Sequence, residues 1–260
     1  MLIYHQLTRE FNQDCTRAII CGGQAVVLHR LAITSKDGDW IVRETEADLA
    51  HIRGILAKHG ARYRFGAPLD GRWLAAGWSA HLEFNYQGIR ARTDFFTRPP
   101  RLTPEQLAAM WTQADHETMP FVELKELALL KMTMREKDYP ILGELARRLE
   151  NIEDQLLLSR SARDLIRLAN AHPEITKHLH ASRPLLAEIG AGEEVLATAL
   201  DAERRSLIRA DEARLSRYQQ AVVPWEAAWP SLATAIANRP LSEAHEMMCA
   251  AAAHSLPTVI

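Results

Sequence analysis

Between Ile19 and Glu44 the chain reads IICGGQAVVLHRLAITSKDGDWIVRE, and few local folds accept that order of residues. A short apolar run, Ala18 to Ile20, leads into Gly22-Gly23. A compact apolar segment, Ala25 to Leu28, follows, then Thr34-Ser35-Lys36 and the triplet Asp37-Gly38-Asp39. Trp40-Ile41-Val42 closes the stretch with strand composition. In an extended strand, residues i and i+2 share a face, so Asp37 and Asp39 would aim two carboxylates the same way. Paired hard oxygens at that spacing suit Mg²⁺, which takes one or two carboxylates and leaves its other positions to water and phosphate oxygens. A glycine pair before a helix start lets backbone N–H groups approach an anion closely. A metal seat beside an anion cradle is the equipment that phosphoryl transfer requires.

The length of 260 residues allows one large or two small domains. The net charge of −2 makes no overall demand for nucleic acid or membrane. Lys and Arg outnumber Asp and Glu by 14 to 10 over residues 1–101, and the balance reverses to 17 against 23 over 102–260. The basic excess therefore lies in the half that carries the glycines and the acid pair, which suits an anionic substrate. Cys15, Cys21 and Cys249 are odd in number and lack metal-ligand spacing, so they read as buried or free thiols of a reducing compartment. The 11 histidines form no zinc pattern. Met1 to Glu10 lacks an apolar signal region and no run is long enough to span a membrane, so the expectation is a cytoplasmic protein without a membrane partner.

Taken in order, Leu7–Arg17 predicts a short helix, Ala25–Leu31 a second, and Asp39–Arg43 a strand. Glu46–His59 has the apolar rhythm of a helix, with Gly60 as its stop. Trp78–Tyr86 and Ile89–Thr97 form a hairpin about the tight turn Gln87-Gly88, ended by Pro99-Pro100. Thr103-Pro104-Glu105-Gln106 is a strong helix start, with Thr as N-cap, Pro at N1 and Gln at N3. Helices then succeed one another at 104–115, 121–135, 138–150, 159–171, 174–181, 184–190, 193–219, 225–237 and 241–254. The fold class is α+β: a small mixed β-sheet followed by a helical C-terminal region. The expected division is a core over 1–100, helices completing the active-site wall over 101–150, and a helical domain over 151–260.

Asp94 is the candidate third carboxylate. Arg90, Arg92, Asp94 and Phe96 alternate onto one strand face. If that face meets Asp37 and Asp39, three acids converge on a pair of metal ions. Glu83 on the partner strand is the fallback acid, and Arg90 and Arg92 could grip phosphate oxygens. In the helix over 121–135, Leu124, Leu127 and Ala128 lead to Lys131 at the end of an apolar face, with Lys137-Asp138 opening the next segment. The plain alternatives are an Asp–Arg pair on an edge strand, a snorkelling lysine and an N-cap aspartate. The charge-rich 193–219 helix reads as a solvated face or an RNA- or partner-facing surface. Trp225, Trp229 and the apolar 241–253 stretch read as core or a dimer contact.

Gly22-Gly23, a spacer of thirteen residues, then Asp37-x-Asp39 resembles the signature of the nucleotidyltransferase superfamily related to DNA polymerase β. The nearest resemblance is to small bacterial nucleotidyltransferase-like proteins, including toxins of the abortive-infection type IV group. That resemblance implies a Mg²⁺-dependent enzyme, with Mn²⁺ as an alternative ion, that moves an NMP from an NTP to a hydroxyl. It implies Asp37, Asp39 and Asp94 as metal ligands and catalytic acids, and Lys131 as a phosphate-contacting catalytic lysine. Gly22, Gly23, Thr34, Ser35, Arg92, Lys137 and Asp138 are implied nucleotide-binding residues. The acceptor implied is tRNA or a protein side chain, with a small molecule as the less favoured alternative, and the resemblance leans towards a toxin-like activity with a cognate antitoxin as a candidate partner. Gly38 departs from the pattern, where an apolar residue is usual. The alternative is a catalytically weak version of the same fold, working as a nucleotide-binding or protein-interaction module.

Overall fold

The computed structural model describes residues 2–115, 117–133 and 138–260. The chain is α+β, a mixed five-stranded sheet at the N-terminus followed by a mainly helical C-terminal region. In order it forms α1 (Leu2–Phe11), β1 (Ala18–Cys21), α2 (Gly22–Leu28), β2 (Gly38–Val42), α3 (Glu46–Lys58), β3 (Arg62–Tyr63) and α4 (Gly71–Leu74). The hairpin β4 (Ala80–Tyr86) and β5 (Ile89–Phe96) precedes α5 (Pro104–Ala114). Then come α6 (Leu124–Lys131), α7 (Tyr139–Arg148), α8 (Ile152–Leu158), α9 (Ala162–Ala171), α10 (Pro173–His178) and a 3₁₀ helix (Pro184–Ala191). The last elements are α11 (Glu193–Ala221), α12 (Val223–Ile236) and α13 (Leu241–Ser255). Among the described residues, no helix is long and apolar enough to cross a membrane. Two compact units are present, one of residues 1–122 with 216–260 and one of residues 123–215.

In the first unit the sheet order is β1-β2-β5-β4-β3, with β2 and β5 parallel and every other pair antiparallel. Residues 120–122 bridge onto the outer side of β1, with Ile20 N–H donating to Pro120 O and Val122 N–H to Ile20 O. One sheet face is closed by aromatic rings. Trp40 of β2 stacks on Phe95 of β5 at a centroid distance of 5.4 Å, and Phe11 of α1 meets both edge-on at 5.6 and 5.9 Å. The Trp40 indole N–H donates to Thr8 Oγ1 at 2.9 Å, so the ring's one polar atom is satisfied inside the core. Trp225 of α12 is fully buried, and Ala244, Met248 and Ala252 line the buried side of α13, so these residues belong to the core, while Trp229 is half-buried.

The first helix begins five residues earlier than its apolar pattern predicts and stops at Phe11 instead of Arg17. Asn12 is the reason. Its side-chain oxygen accepts from the N–H groups of Arg17 and Ala18 and its amide donates to Ala18 O, which turns the chain into β1. The second helix starts at Gly22 itself and ends at Leu28, three residues before its predicted end. There Arg30 takes a left-handed φ of 59° and Leu31 N–H returns to Val26 O. The predicted 121–135 helix is shorter, Leu124–Lys131. Sequence periodicity also passed over α8, which Asn151 N-caps by accepting from Glu153 N–H at 2.8 Å. Where caps were explicit the elements follow them: Thr103 and Gln106 form a reciprocal capping box at α5.

The second unit has its own core, in which Leu156, Leu165, Leu186 and Leu196 are buried together. Arg183 is only 3% exposed. Its guanidinium donates to the carbonyls of Leu156 and Ser159 and to the Glu203 carboxylate, and burial followed by repulsion from Arg160 pushes its pKa down to about 9. On α11, Arg204 lies over the Tyr139 ring at 4.2 Å.

Gly38 is a packing requirement. A Cβ there would stand 2.4 Å from the Trp40 ring and 2.6 Å from Tyr4. Both rings are tethered, Trp40 to Thr8 and Tyr4 to Lys36 O, so neither can yield freely. Gly38→Ala is expected to destabilise the protein by about 1–3 kcal/mol through overpacking. Gly54, inside α3 with open space at its Cβ position, gives the opposite sign: Gly54→Ala is expected to stabilise by about 0.4–1 kcal/mol. Urea unfolding of the two variants beside the parent checks both signs.

Candidate functional site

The site grows from the end of β1. Cys21 pairs with Asp39 in the antiparallel ladder, and the chain enters α2 at the next residue. Asp39 therefore rises against the start of that helix. Gly22 has φ of +59°, and a Cβ on it would lie 2.0 Å from Asp39 Oδ2. The N–H of Gly23 donates to the same oxygen at 3.4 Å. A Cβ on Gly23 would meet Ser35 Oγ at 2.2 Å. The glycine pair thus makes room for Asp39 on one side and Ser35 on the other.

Asp94 comes next to Asp39 by strand pairing. β2 and β5 run parallel with Asp39 opposite Asp94, so the two side chains project from the same face. Adjacent strands lie about 4.8 Å apart. The face is the one opposite Trp40 and Phe95, which alternate with the acids along the same strands. Asp94 is also held from its other neighbour. Arg64 Nη2 donates to its Oδ1 at 2.6 Å, and His81 Nδ1, across the β4–β5 ladder, lies 2.7 Å from the same oxygen. Glu83, the fallback acid, is buried in β4, where it takes Arg90 Nε at 2.7 Å and Arg62 at 3.4 Å.

The loop before β2 is pinned through its backbone. Tyr4 Oη donates to Lys36 O at 2.7 Å, and Gln24 Nε2 donates to Ser35 O at 3.3 Å and Asp37 O at 3.1 Å. Asp37 Oδ1 is buried without a hydrogen-bond partner, with Arg92 Nη1 at 3.8 Å. Tyr4 registers all three acids at once. Burial is the main cause that pushes its phenol pKa above the usual range. The Arg92 N–H that it accepts pulls the other way, and the charges of Asp37, Asp39 and Asp94 each push it higher.

A groove of about 740 Å³ opens beside this loop, lined by Thr34, Ser35, Lys36 and Asp37 on one side and Tyr86, Arg90 and Arg92 on the other. That volume is in the range of small-molecule sites. Three cations and two phenols, counting Tyr4, face it. Thr34, Ser35, Asp37 and Arg92 therefore share one concavity, whose described lining stops short of Asp39 and Asp94.

Lys131 and Asp138 belong to the second unit, where they meet each other. Lys131 is 8% exposed and its Nζ lies 3.6 Å from Asp138 Oδ1. Thr133 Oγ1 donates to Asp138 Oδ2 at 2.8 Å, so the carboxylate faces the lysine and threonine and makes no side-chain cap bond on α7. Lys137 lies outside the described residues.

Four residues that hold the site were not singled out from the sequence. His81 was within reach: counting outward from the two-residue turn Gln87-Gly88 pairs position 81 with 94. Gln24, polar at the head of an apolar helix, carried a weak signal. Tyr4 and Arg64 carried none, since their contacts span 32 and 30 residues of sequence.

No family model matches the chain, and no curated protein matches it. Two solved structures are similar. One is a crystal structure of a protein from H. pylori provisionally named a nucleotidyltransferase, 13% identical, covering 82% of this chain and 96% of its own, with a TM-score of 0.37. The other is JHP933 from Helicobacter pylori, 12% identical, covering 84% of this chain and 97% of its own, also with a TM-score of 0.37.

Tyr4→Phe removes the donor to Lys36 O and is expected to cost about 0.5–1.5 kcal/mol near neutral pH. Because the folded phenol titrates above its usual value, the contribution is fully present below pH ~10 and fades as pH rises through the folded value. Urea unfolding of parent and variant at neutral and strongly alkaline pH is expected to show the gap closing only in the alkaline series.

Proposed function

We propose that this chain is a metal-dependent nucleotidyltransferase, moving an NMP from an NTP to a hydroxyl acceptor. The observation that carries the reading is the parallel register that sets Asp39 beside Asp94 at the mouth of the Gly22-Gly23 turn. Asp37, two residues before Asp39 on a pinned loop, completes the acid set. Three carboxylates with hard oxygens fit Mg²⁺, and Mn²⁺ accepts the same donors. Asp37 Oδ1, buried without a hydrogen-bond partner and 3.8 Å from Arg92 Nη1, is an atom that a cation would satisfy. Bound ions there would supply charge to the reacting phosphate and acidify the attacking hydroxyl.

The chain's own residues then divide the work. Asp94 takes the proton of the acceptor hydroxyl as its oxygen bonds to the α-phosphorus and pyrophosphate leaves. His81 and Arg64 hold that carboxylate in place. Arg92, Thr34 and Ser35 receive phosphate or ribose oxygens in the groove, where Lys36 and Arg90 add positive charge. Gly22 and Gly23, which make room for Asp39 and Ser35, are assigned to the phosphates by the sequence resemblance alone. Lys131, Lys137 and Asp138 are assigned to the nucleotide by the sequence resemblance alone. The same resemblance favours tRNA or protein as acceptor, in a toxin held by a cognate antitoxin.

A second reading rests on a different observation. Asp94 Oδ1 is engaged by both Arg64 and His81, contacts that compete with a metal ion. This favours a nucleotide-binding or protein-interaction module with a weak site. Incubation with α-labelled NTPs, Mg²⁺ and a cell lysate tests the pair. Metal-dependent label on RNA or protein, falling by at least ~100-fold in Asp39→Ala, is expected for the enzyme. Nucleotide binding without transfer would favour the module.

A further inference from the structure

A second cluster of metal-ligating side chains lies away from the carboxylates, where α4 and α13 approach. Asp70 is the N-cap of α4, and His245 and Cys249 stand one turn apart on α13. The geometry points to a binding site for a Zn²⁺-class transition metal ion built from Asp70, His245 and Cys249. One ligand atom from each residue lies within 4.8 Å of the other two. Cys249 Sγ is 3.5 Å from His245 Nε2 and 3.8 Å from Asp70 Oδ2. Donors on a tetrahedral zinc, with bonds of about 2.0–2.3 Å, are separated by roughly 3.3–3.7 Å. The sulfur is also 3.9 Å from Nδ1, beside the ring, so loading needs a turn of the Cys249 side chain towards the Nε2 lone pair.

The surroundings match what a ligating histidine needs. His245 Nδ1 lies 2.8 Å from Tyr63 Oη, which fixes the ring and leaves Nε2 for the ion. Tyr63 is in turn held by Leu69 N–H, at 3.2 Å. Burial pushes the His245 pKa down to about 4, so the imidazole is neutral, as a ligand must be. Arg72 holds Asp70 through Nε and Nη2, both at 2.9 Å, and the carboxylate retains lone pairs for a further partner. The bare thiol is protonated, because burial and then Asp70 push it up to about 12. Binding forms the sulfur–metal bond and breaks S–H, with the proton passing to solvent. A nitrogen, sulfur and oxygen donor set selects zinc-like ions over Mg²⁺. His245 and Cys249 are half-buried, so an ion can enter from solvent. Three protein donors leave a fourth position for water.

The test uses the full chain, stripped with a chelator and titrated with Co²⁺ as a spectroscopic stand-in for zinc. One equivalent is expected to produce the tetrahedral d–d bands and a thiolate-to-cobalt charge-transfer band, both bleached by Zn²⁺. Cys249→Ser should abolish the charge-transfer band, and Tyr63→Phe should weaken binding by about 10–100-fold. Cys15→Ser, which removes an exposed thiol, should change nothing. Asp39→Ala should also leave the bands intact, so the outcome is independent of the nucleotidyltransferase reading. No charge-transfer band in the parent would overturn the site, as would a band that survives Cys249→Ser or vanishes with Cys15→Ser. If Cys249→Ser does not fold, alkylation mapped by mass spectrometry decides on the parent. Zn²⁺ should slow modification of Cys249 at least tenfold, and an unchanged rate would overturn the proposal.

Discussion

The stack of Trp40 on Phe95 governs this structure. It joins the parallel pair β2 and β5 and buries two large rings beneath α1. Because strand side chains alternate, rings on one face oblige Asp39 and Asp94 to share the other. A slip of one residue would expose the rings and bury two carboxylates, each a costly outcome. Hydrophobic packing on one face thus specifies the placement of charge on the opposite face.

Close approach is the second constraint, and it explains why glycine recurs here. Gly22 admits Asp39, Gly23 admits Ser35, and Gly38 admits the rings of Trp40 and Tyr4. The Asp-Gly-Asp triplet departs from the pattern it resembles because Trp40 and Tyr4 occupy the volume a side chain would need. The acid on each side of Gly38 is held differently. Asp39 leans on a helix start, whereas Asp37 sits at the end of a loop tied down by Tyr4 and Gln24.

Local signals in the chain were legible. Period-two alternation and the Gln87-Gly88 turn define the hairpin, Thr103 and Gln106 define the start of α5, and acid spacing marks the β2 edge. Interactions between distant segments were not. Asn12 ends α1 by bonding across a turn, which periodicity cannot register. Arg64 reaches Asp94 from the residue just after β3, a two-residue strand too short to carry a pattern. Cys249 has no cysteine partner at ligand spacing, and its histidine is a helical turn away while its carboxylate lies 179 positions upstream.

The last helices, α12 and α13, belong with the sheet that the first residues build. Trp73 and Trp78 donate to the carbonyls of Leu256 and Pro257, and Trp225 donates to Gly66 O. During vectorial synthesis the segment 123–215 therefore emerges whole, with its own core, while the earlier sheet still awaits its closing partners. Translation imposes an order on assembly: the middle of the polypeptide can settle before its beginning is complete. The entropy of closing so long a loop falls on the unit built from the two ends of the sequence.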